Sequence, residues 1–352
     1  MLLRTADASR KSGWMACAAA VALAAAAMFT APGAADAQSL KKIKITIPVP
    51  AFGFYPLYAG VDQGFFAKEG YDVEIISTAG DGPDVDALIA GSVDFSLSTP
   101  NRLFTAHEQG RTLLAVMTTT NRLGIECIMN KEFAESKGLK PDSPLMDQLK
   151  ALKGETISGT RPGAFTYLTA ILYAKRAGLE PQKDVKVIGV GGPGSMIAAL
   201  ENKQTVFACT ASPTPEMAEA RKKSYQVTKN LAGGDPETDD FMYQILYVRP
   251  DYAQKNPAVV RSIVGGLLKA IAYIKDTPGQ AQLPAIRKHF PGVPDDVALI
   301  MLENNKPAYK GDGVTTERSV ERAYNFLKGA GILKAGVPDW KAIVSNDYLP
   351  KK

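Results

Sequence analysis

"DVEII" at residues 72–76 and "DVKVI" at residues 184–188 are the same short pattern, set apart by 184 − 72 = 112 positions. The match extends outward. Ala87-Leu88 and Phe95 correspond to Ala199-Leu200 and Phe207 at the same shift, and Pro50 corresponds to Pro162. Phe54, Leu57 and Ala59 correspond to Phe165, Leu168 and Ala170 at a shift of 111, which one extra residue near Gly53 explains. A register kept over this length reads as an internal repeat, two similar halves in one chain.

Each half alternates apolar runs of strand length with helical patterns. Strands are predicted over 43–48, 72–77, 93–97 and 113–119, with helices over 55–66, 84–90 and 100–109 between them. The second half repeats the order: strands over 156–159, 185–190 and 206–210, and helices over 165–177, 195–202 and 213–222. Strands separated by helices of this length imply βαβ units and largely parallel sheets. After Gly233-Gly234 the texture changes to a last strand over 241–249, a long amphipathic helix over 257–276, and shorter helices over 284–289, 295–302 and 316–328. The expectation is an α/β protein of two lobes with a helical C-terminal tail. Lobe I would hold 38–125 and 235–352 and lobe II 126–234, with the chain crossing near 121–127 and returning near 229–243.

The first 37 residues carry a different signal. Arg4, Arg10 and Lys11 precede an apolar run of 15 residues, 15–29, and Ala35-Asp36-Ala37 has the form of a cleavage site. This reads as a secretory signal cut after Ala37. Fifteen residues fall short of the roughly 20 that span a bilayer. Residues 1–37 hold three of the 41 Lys+Arg and two of the 36 Asp+Glu, which leaves the mature chain at +4. So mild a charge, with no basic stripe, argues against nucleic acid as a partner. Cys127 and Cys209 remain after cleavage, both in apolar runs. Two buried free thiols are expected, although an oxidising compartment permits a disulfide. His107 and His289 are the two histidines of the whole chain, so metal chemistry and Ser-His-Asp catalysis lack material, and no cofactor is expected.

Ligands of open α/β sheets sit at the carboxyl ends of strands, where helix N-termini present backbone N–H groups. Several turns mark such places. Ser98-Thr99-Pro100 combines a hydroxyl cap with a proline at the first helical position, and Ser212-Pro213 repeats the device. Gly80-Asp81-Gly82-Pro83 matches Gly191-Gly192-Pro193-Gly194, and Thr160-Arg161-Pro162-Gly163-Ala164 opens the helix equivalent to 55–66. Caps and Gly/Pro turns occur throughout α/β proteins; their paired placement in both halves is what points to a shared cleft. Phe52, Phe54 and Tyr55 lie at the first turn, where their rings form one wall of a pocket. Leu57, Tyr58, Phe65 and Phe66 are assigned to the core. Arg102, Arg122 and Arg161 lie near strand ends and are candidates to meet an anion.

"YPLYAGVDQGFFAKEGYDVEII" (55–76) and "ALIAGSVDFSLSTP" (87–100) resemble periplasmic solute-binding proteins of ABC importers, in the nitrate/sulfonate/taurine and thiamine-pyrimidine-precursor branch. The resemblance covers about 42–278. It implies a two-lobed type II periplasmic binding protein fold with a hinge, a monomer in the periplasm, a small-molecule ligand in the cleft, and docking on a membrane permease. It places binding residues at Phe52, Phe54 and Tyr55, at Gly80 and Asp81, at Ser98, Thr99 and Asn101, at Gly163, Ala164, Phe165 and Thr166, and at Ser212; Arg161 joins them from the reading of the turns. The cleft tryptophan of sulfonate binders has no counterpart, because Trp340, in the tail, is the one mature tryptophan. The cysteine-rich motif and reactive histidine of the related pyrimidine-making enzymes are absent too, so a receptor is favoured over an enzyme or a sensor's binding partner. An organic anion and a neutral heterocycle both remain open as ligand.

Overall fold

Ten strands form two sheets in the computed structural model, which describes residues 39–78 and 82–351. The signal-sequence expectation, together with Gly80 and Asp81, lies outside the described residues. The strands are β1 (Lys41–Ile47), β2 (Tyr71–Ser77), β3 (Phe95–Ser98), β4 (Leu114–Arg122), β5 (Glu126–Asn130), β6 (Thr156–Gly159), β7 (Lys186–Gly189), β8 (Phe207–Thr210), β9 (Ser224–Gln226) and β10 (Asp239–Val248). One sheet runs β2-β1-β3-β10-β4 and the other β7-β6-β8-β5-β9. The first is drawn from 41–122 and 239–248, the second from 126–226. β10 is antiparallel to both its neighbours, and so is β5. Each sheet is therefore mixed, with one antiparallel strand in the fourth place.

The repeat seen in the sequence is a repeat of register. Ile45 pairs with Ile75 on one side and Phe95 on the other, while Ile157 pairs with Val187 and Phe207. The shift is the same for all three, 157 − 45 = 187 − 75 = 207 − 95 = 112. A slip of one residue would turn every buried side chain of these strands to the opposite face, so a shared register means a shared core pattern.

Several boundaries differ from expectation. The first helix runs Tyr55–Asp62, shorter than 55–66, because Gly64 takes φ +66° and turns the chain there. That turn carries Phe66 back to fill the space left by two glycines: a Cβ on Gly60 or Gly266 would lie within 2.5 Å of its ring. Phe66 and Leu57 are in the core as expected, whereas Phe65 and Tyr58 are half-buried at its edge. Helices Lys131–Ser136 and Leu145–Lys150 and the three-residue β9 had no clear periodicity to announce them. Helix Pro257–Asp276 is long and apolar enough to cross a membrane, but Val260, Ile263, Val264, Leu267, Ile271 and Ile274 are fully buried against the first sheet.

The cysteines require a correction. Cys127 of β5 and Cys209 of β8 are direct partners in an antiparallel pair, with Cα atoms 4.0 Å apart, and they are joined as a disulfide. The two expected free thiols are not found. A sequence separation of 82 residues conceals the pairing, which the strand register alone creates.

Residues 123–125 link β4 to β5, and 227–238 link β9 to β10. These two connections are bound to each other. Glu126 accepts hydrogen bonds from Thr228 Oγ1 (2.7 Å) and from the backbone N–H groups of Asn230 (3.0 Å) and Leu231 (2.9 Å). Arg122 pairs with Asp239 at 2.9 Å and donates to the Leu231 carbonyl. At Gly124 a Cβ would sit 2.3 Å from the ring of Tyr243, so the crossing needs glycine for the ring to pack on it.

Candidate functional site

The strand ends converge on one cavity of about 530 Å³. β1, β2 and β3 run parallel and release Pro48, Ser77 and Thr99 into its wall; β6, β7 and β8 run parallel and release Thr160, Gly191 and Ala211. Both sheets thus present the carboxyl ends of three parallel strands, the place where α/β sheets hold ligands. The return strand supplies Tyr243 and Gln244, the crossing supplies Gly124 and Ile125, and Asn305 enters from helix Asp295–Asn305.

The first turn is built around its core. Phe52 stacks on Tyr55 at 4.9 Å and meets Phe290 at 5.2 Å, and its carbonyl accepts from Tyr309 at 2.9 Å. Phe52 and Tyr55 are fully buried and do not line the cavity; Gly53 and Phe54 do. The one aromatic ring that this turn gives the cavity is therefore that of Phe54, while Phe52 and Tyr55 pack on each other and on Phe290. Burial also raises the Tyr55 hydroxyl's pKa, with Tyr273 and Asp62 adding to the effect.

The second half answers with Phe165, which begins helix Phe165–Arg176. Gly159 makes the approach possible, since a Cβ there would lie 2.4 Å from the Tyr167 backbone. Thr166 Oγ1 accepts from Thr160 N at 3.0 Å and closes the turn. The Phe165 ring lines the cavity and rests on Phe326 (5.4 Å) and Tyr243 (5.5 Å).

Of the other expected residues, Thr99, Arg161, Ala164, Thr166 and Ser212 also line the cavity. Ser98, Asn101 and Gly163 do not. Ser98 is buried and donates to Asp84, while Asn101 accepts from Thr99 Oγ1 at 2.7 Å, so both brace the turn from behind. Arg122 is engaged at the crossing, and Arg102 lies behind Gly82. Arg161 is the one cationic side chain among the described lining residues, and none of these is a carboxylate.

Ser212 ties the two sides of the cavity together. Its carbonyl accepts from Phe52 N at 3.1 Å, and its hydroxyl accepts from Asn305 Nδ2 at 3.1 Å and donates to Glu216 Oε1 at 2.8 Å. Glu216 also accepts from Asn304 at 3.3 Å, and burial raises its pKa.

Sequence reasoning missed Gln244, Thr120, Tyr243 and Asn305. Gln244 left a legible trace. It is the amide in the otherwise apolar and aromatic run Phe241–Val248, and a polar residue kept inside a buried strand calls for a reason. Asn305 left none, since only the docking of the tail brings it to Ser212.

Comparison with known proteins agrees with this geometry. The bicarbonate-binding protein CmpA of Synechococcus is 25% identical over 294 residues, which cover 78% of this chain and 63% of CmpA. The chain thus spans less than two thirds of that relative. Among solved structures, the periplasmic nitrate-binding protein NrtA of Synechocystis superposes with a TM-score of 0.66 at 18% identity, covering 88% of this chain and 87% of NrtA. The periplasmic aliphatic sulphonate-binding protein SsuA of Escherichia coli gives 0.67 at 16% identity, covering 88% and 99%. At such identities these two establish the fold: two-lobed, as periplasmic binding proteins are. The model of the NMT1-like family matches residues 36–286, well over half of the chain and including all but one of the described residues that line the cavity, and the protein therefore belongs to that family.

Proposed function

We propose that the protein is an extracytoplasmic solute-binding receptor that captures a small organic anion and delivers it to the permease of an ABC importer. The observation that carries this reading is the cavity itself, walled by three parallel strand ends from each sheet and by one aromatic ring from each half, Phe54 and Phe165. Phe54, Thr99, Arg161, Ala164, Phe165, Thr166 and Ser212 are the proposed contacts. Lobe I would comprise 38–125 and 235–352 and lobe II 126–234, turning about 121–127 and 229–243. Export by the signal sequence, with cleavage after Ala37, would place a monomer in the periplasm. The family membership and the binding proteins named above support a receptor over an enzyme.

The test is a thermal-shift screen of the mature protein against organic acids, sulphonates, inorganic anions and neutral heterocycles. A true ligand at 100 times its Kd stabilises the folded state by about 2.7 kcal/mol. No shift with any class would overturn the receptor reading.

A further inference from the structure

We propose that Gln244 is the residue that selects the ligand, and that the ligand is a carboxylic acid with a ring-sized apolar body; this deepens the receptor reading and rests on it. Gln244 stands on β10 inside the cavity wall and is only 2% exposed. Its Oε1 accepts from Thr120 Oγ1 at 2.7 Å, which fixes the amide plane and leaves Nε2 as the end that is not held. Nε2 has no hydrogen-bond partner among the described residues, yet it is not one of the sealed-off buried polar atoms. The surface it keeps is therefore cavity surface.

The chain makes room for this placement. The amide lies against Gly53, where a Cβ would stand 2.2 Å from Nε2 and 2.6 Å from Oε1. A side chain at position 53 would push the amide off its site. An oriented donor, nearly buried and without a protein partner, is a costly thing to maintain unless something accepts from it. A ligand oxygen is the matching group.

Size and charge narrow the ligand further. An ion of about four heavy atoms, such as nitrate or bicarbonate, needs roughly the room of two waters, ~60 Å³ at ~30 Å³ each. The cavity offers about 530 Å³, in the range of pockets that enclose whole organic molecules. Val49, Phe54, Ile125, Phe165 and Leu231 give it apolar walls. Arg161 and the N-termini of helices Phe165–Arg176 and Pro193–Glu201 give it positive character. A carboxylate joined to a ring satisfies the donor, the walls and the charge together.

Calorimetric titration with benzoate, benzamide and nitrate tests the assignment. Wild-type protein should bind benzoate at least tenfold more tightly than either of the others, about 1.4 kcal/mol. Gln244→Leu should weaken benzoate at least tenfold while retaining the wild-type circular dichroism spectrum. Gly53→Ala should weaken it as well, and the two substitutions together should cost less than the sum of their separate effects, because both act on one amide. Unchanged benzoate affinity in Gln244→Leu would overturn the role of Gln244; nitrate or benzamide binding as tightly as benzoate would overturn the ligand class. A wild-type protein that ignores all three probes but responds to another solute in the broad screen also overturns this assignment, and leaves the receptor reading standing.

Discussion

Cys127 and Cys209 stand opposite one another in the antiparallel pair β5–β8, and their disulfide closes the second sheet across 82 residues of chain. A cross-link over a loop of this length restricts the unfolded chain far more than the folded one. Loss of a native disulfide typically costs about 2–5 kcal/mol. Denaturation of the wild type with and without reductant, alongside the Cys127→Ser, Cys209→Ser double variant, should show that loss in both treatments. An identical midpoint in all three samples would mean that the bridge contributes nothing.

Arg161 offers a separate handle on ligand charge. Arg161→Gln should weaken benzoate at least tenfold, about 1.4 kcal/mol. Arg161→Lys should recover only part of the loss, since an ammonium cannot present the planar two-pronged geometry of a guanidinium. The side chain is exposed, so apo melting temperature should hardly move. Equal affinities in wild type and Arg161→Gln would remove this residue from the site.

Phe54 and Phe165 line the cavity, yet each is only 2% exposed and belongs to the core around it. Truncation should therefore damage two properties at once. Phe165→Ala removes a ring resting on Phe326 and Tyr243, and a core phenylalanine cut to alanine costs about 3–5 kcal/mol of stability. Affinity should fall in parallel, as read by titration below the lowered melting temperature. Phe54→Leu and Phe165→Leu, which keep most of the volume, should separate the two effects by losing affinity with a smaller loss of stability.

Glu126 gives stability a pH dependence with a defined sign. Burial pushes its carboxyl up from 4.5 to about 8, against the hydrogen bonds from Leu231, Thr228 and Asn230 that pull it down. The folded state therefore keeps a proton that the unfolded chain releases once the pH passes 4.5. The contribution is fully present below pH 4.5, falls as pH rises toward 8, and then levels off; the slope cannot exceed about 1.4 kcal/mol per pH unit for one proton. Glu126→Gln should flatten this part of the profile. A residual slope of the same sign belongs to Glu216, whose carboxyl is also raised by burial. Parallel profiles for the wild type and Glu126→Gln would show that the group does not titrate in this window.

The tie at Ser212 should govern closure. Its carbonyl and hydroxyl join Phe52 and Asn305, residues on the other side of the cavity, and it also holds Glu216. Ser212→Ala should enlarge the radius of gyration of the ligand-free protein, and a saturating solute should contract it. Small-angle scattering profiles that coincide in all three conditions would count against a hinge.

Much of this arrangement was legible because it repeats. The pattern shared by 72–76 and 184–188 marked equivalent strands, and the turns at Thr99, Thr160-Arg161, 191–193 and Ser212-Pro213 marked ends that line the cavity, whereas Gly82 and Pro83 do not line it. What stayed hidden depends on register or on distant docking. Phe52 and Phe54 are two residues apart at the same turn, and nothing in the sequence says that Phe290 and Tyr309 would claim the first for the core and leave the second to the cavity. The cysteine pair and Asn305 were hidden for the same reason, since their partners lie 82 and 93 residues away.

Tyr243 and Gln244 are consecutive on β10 and both line the cavity, and the first is also packed on Gly124 of the crossing. One peptide bond thus separates the amide proposed to hold a solute from the ring that rests on the proposed pivot. Occupancy should be felt at the proposed pivot without any relay through either sheet, so an environment-sensitive dye on the crossing segment, which itself reaches the cavity through Gly124 and Ile125, should report the solute. The same adjacency would limit redesign: if the protein turns about the crossing, exchanging Gln244 to suit a new solute should also load that pivot, and changes of specificity engineered on this strand should carry changes in the rate of opening with them.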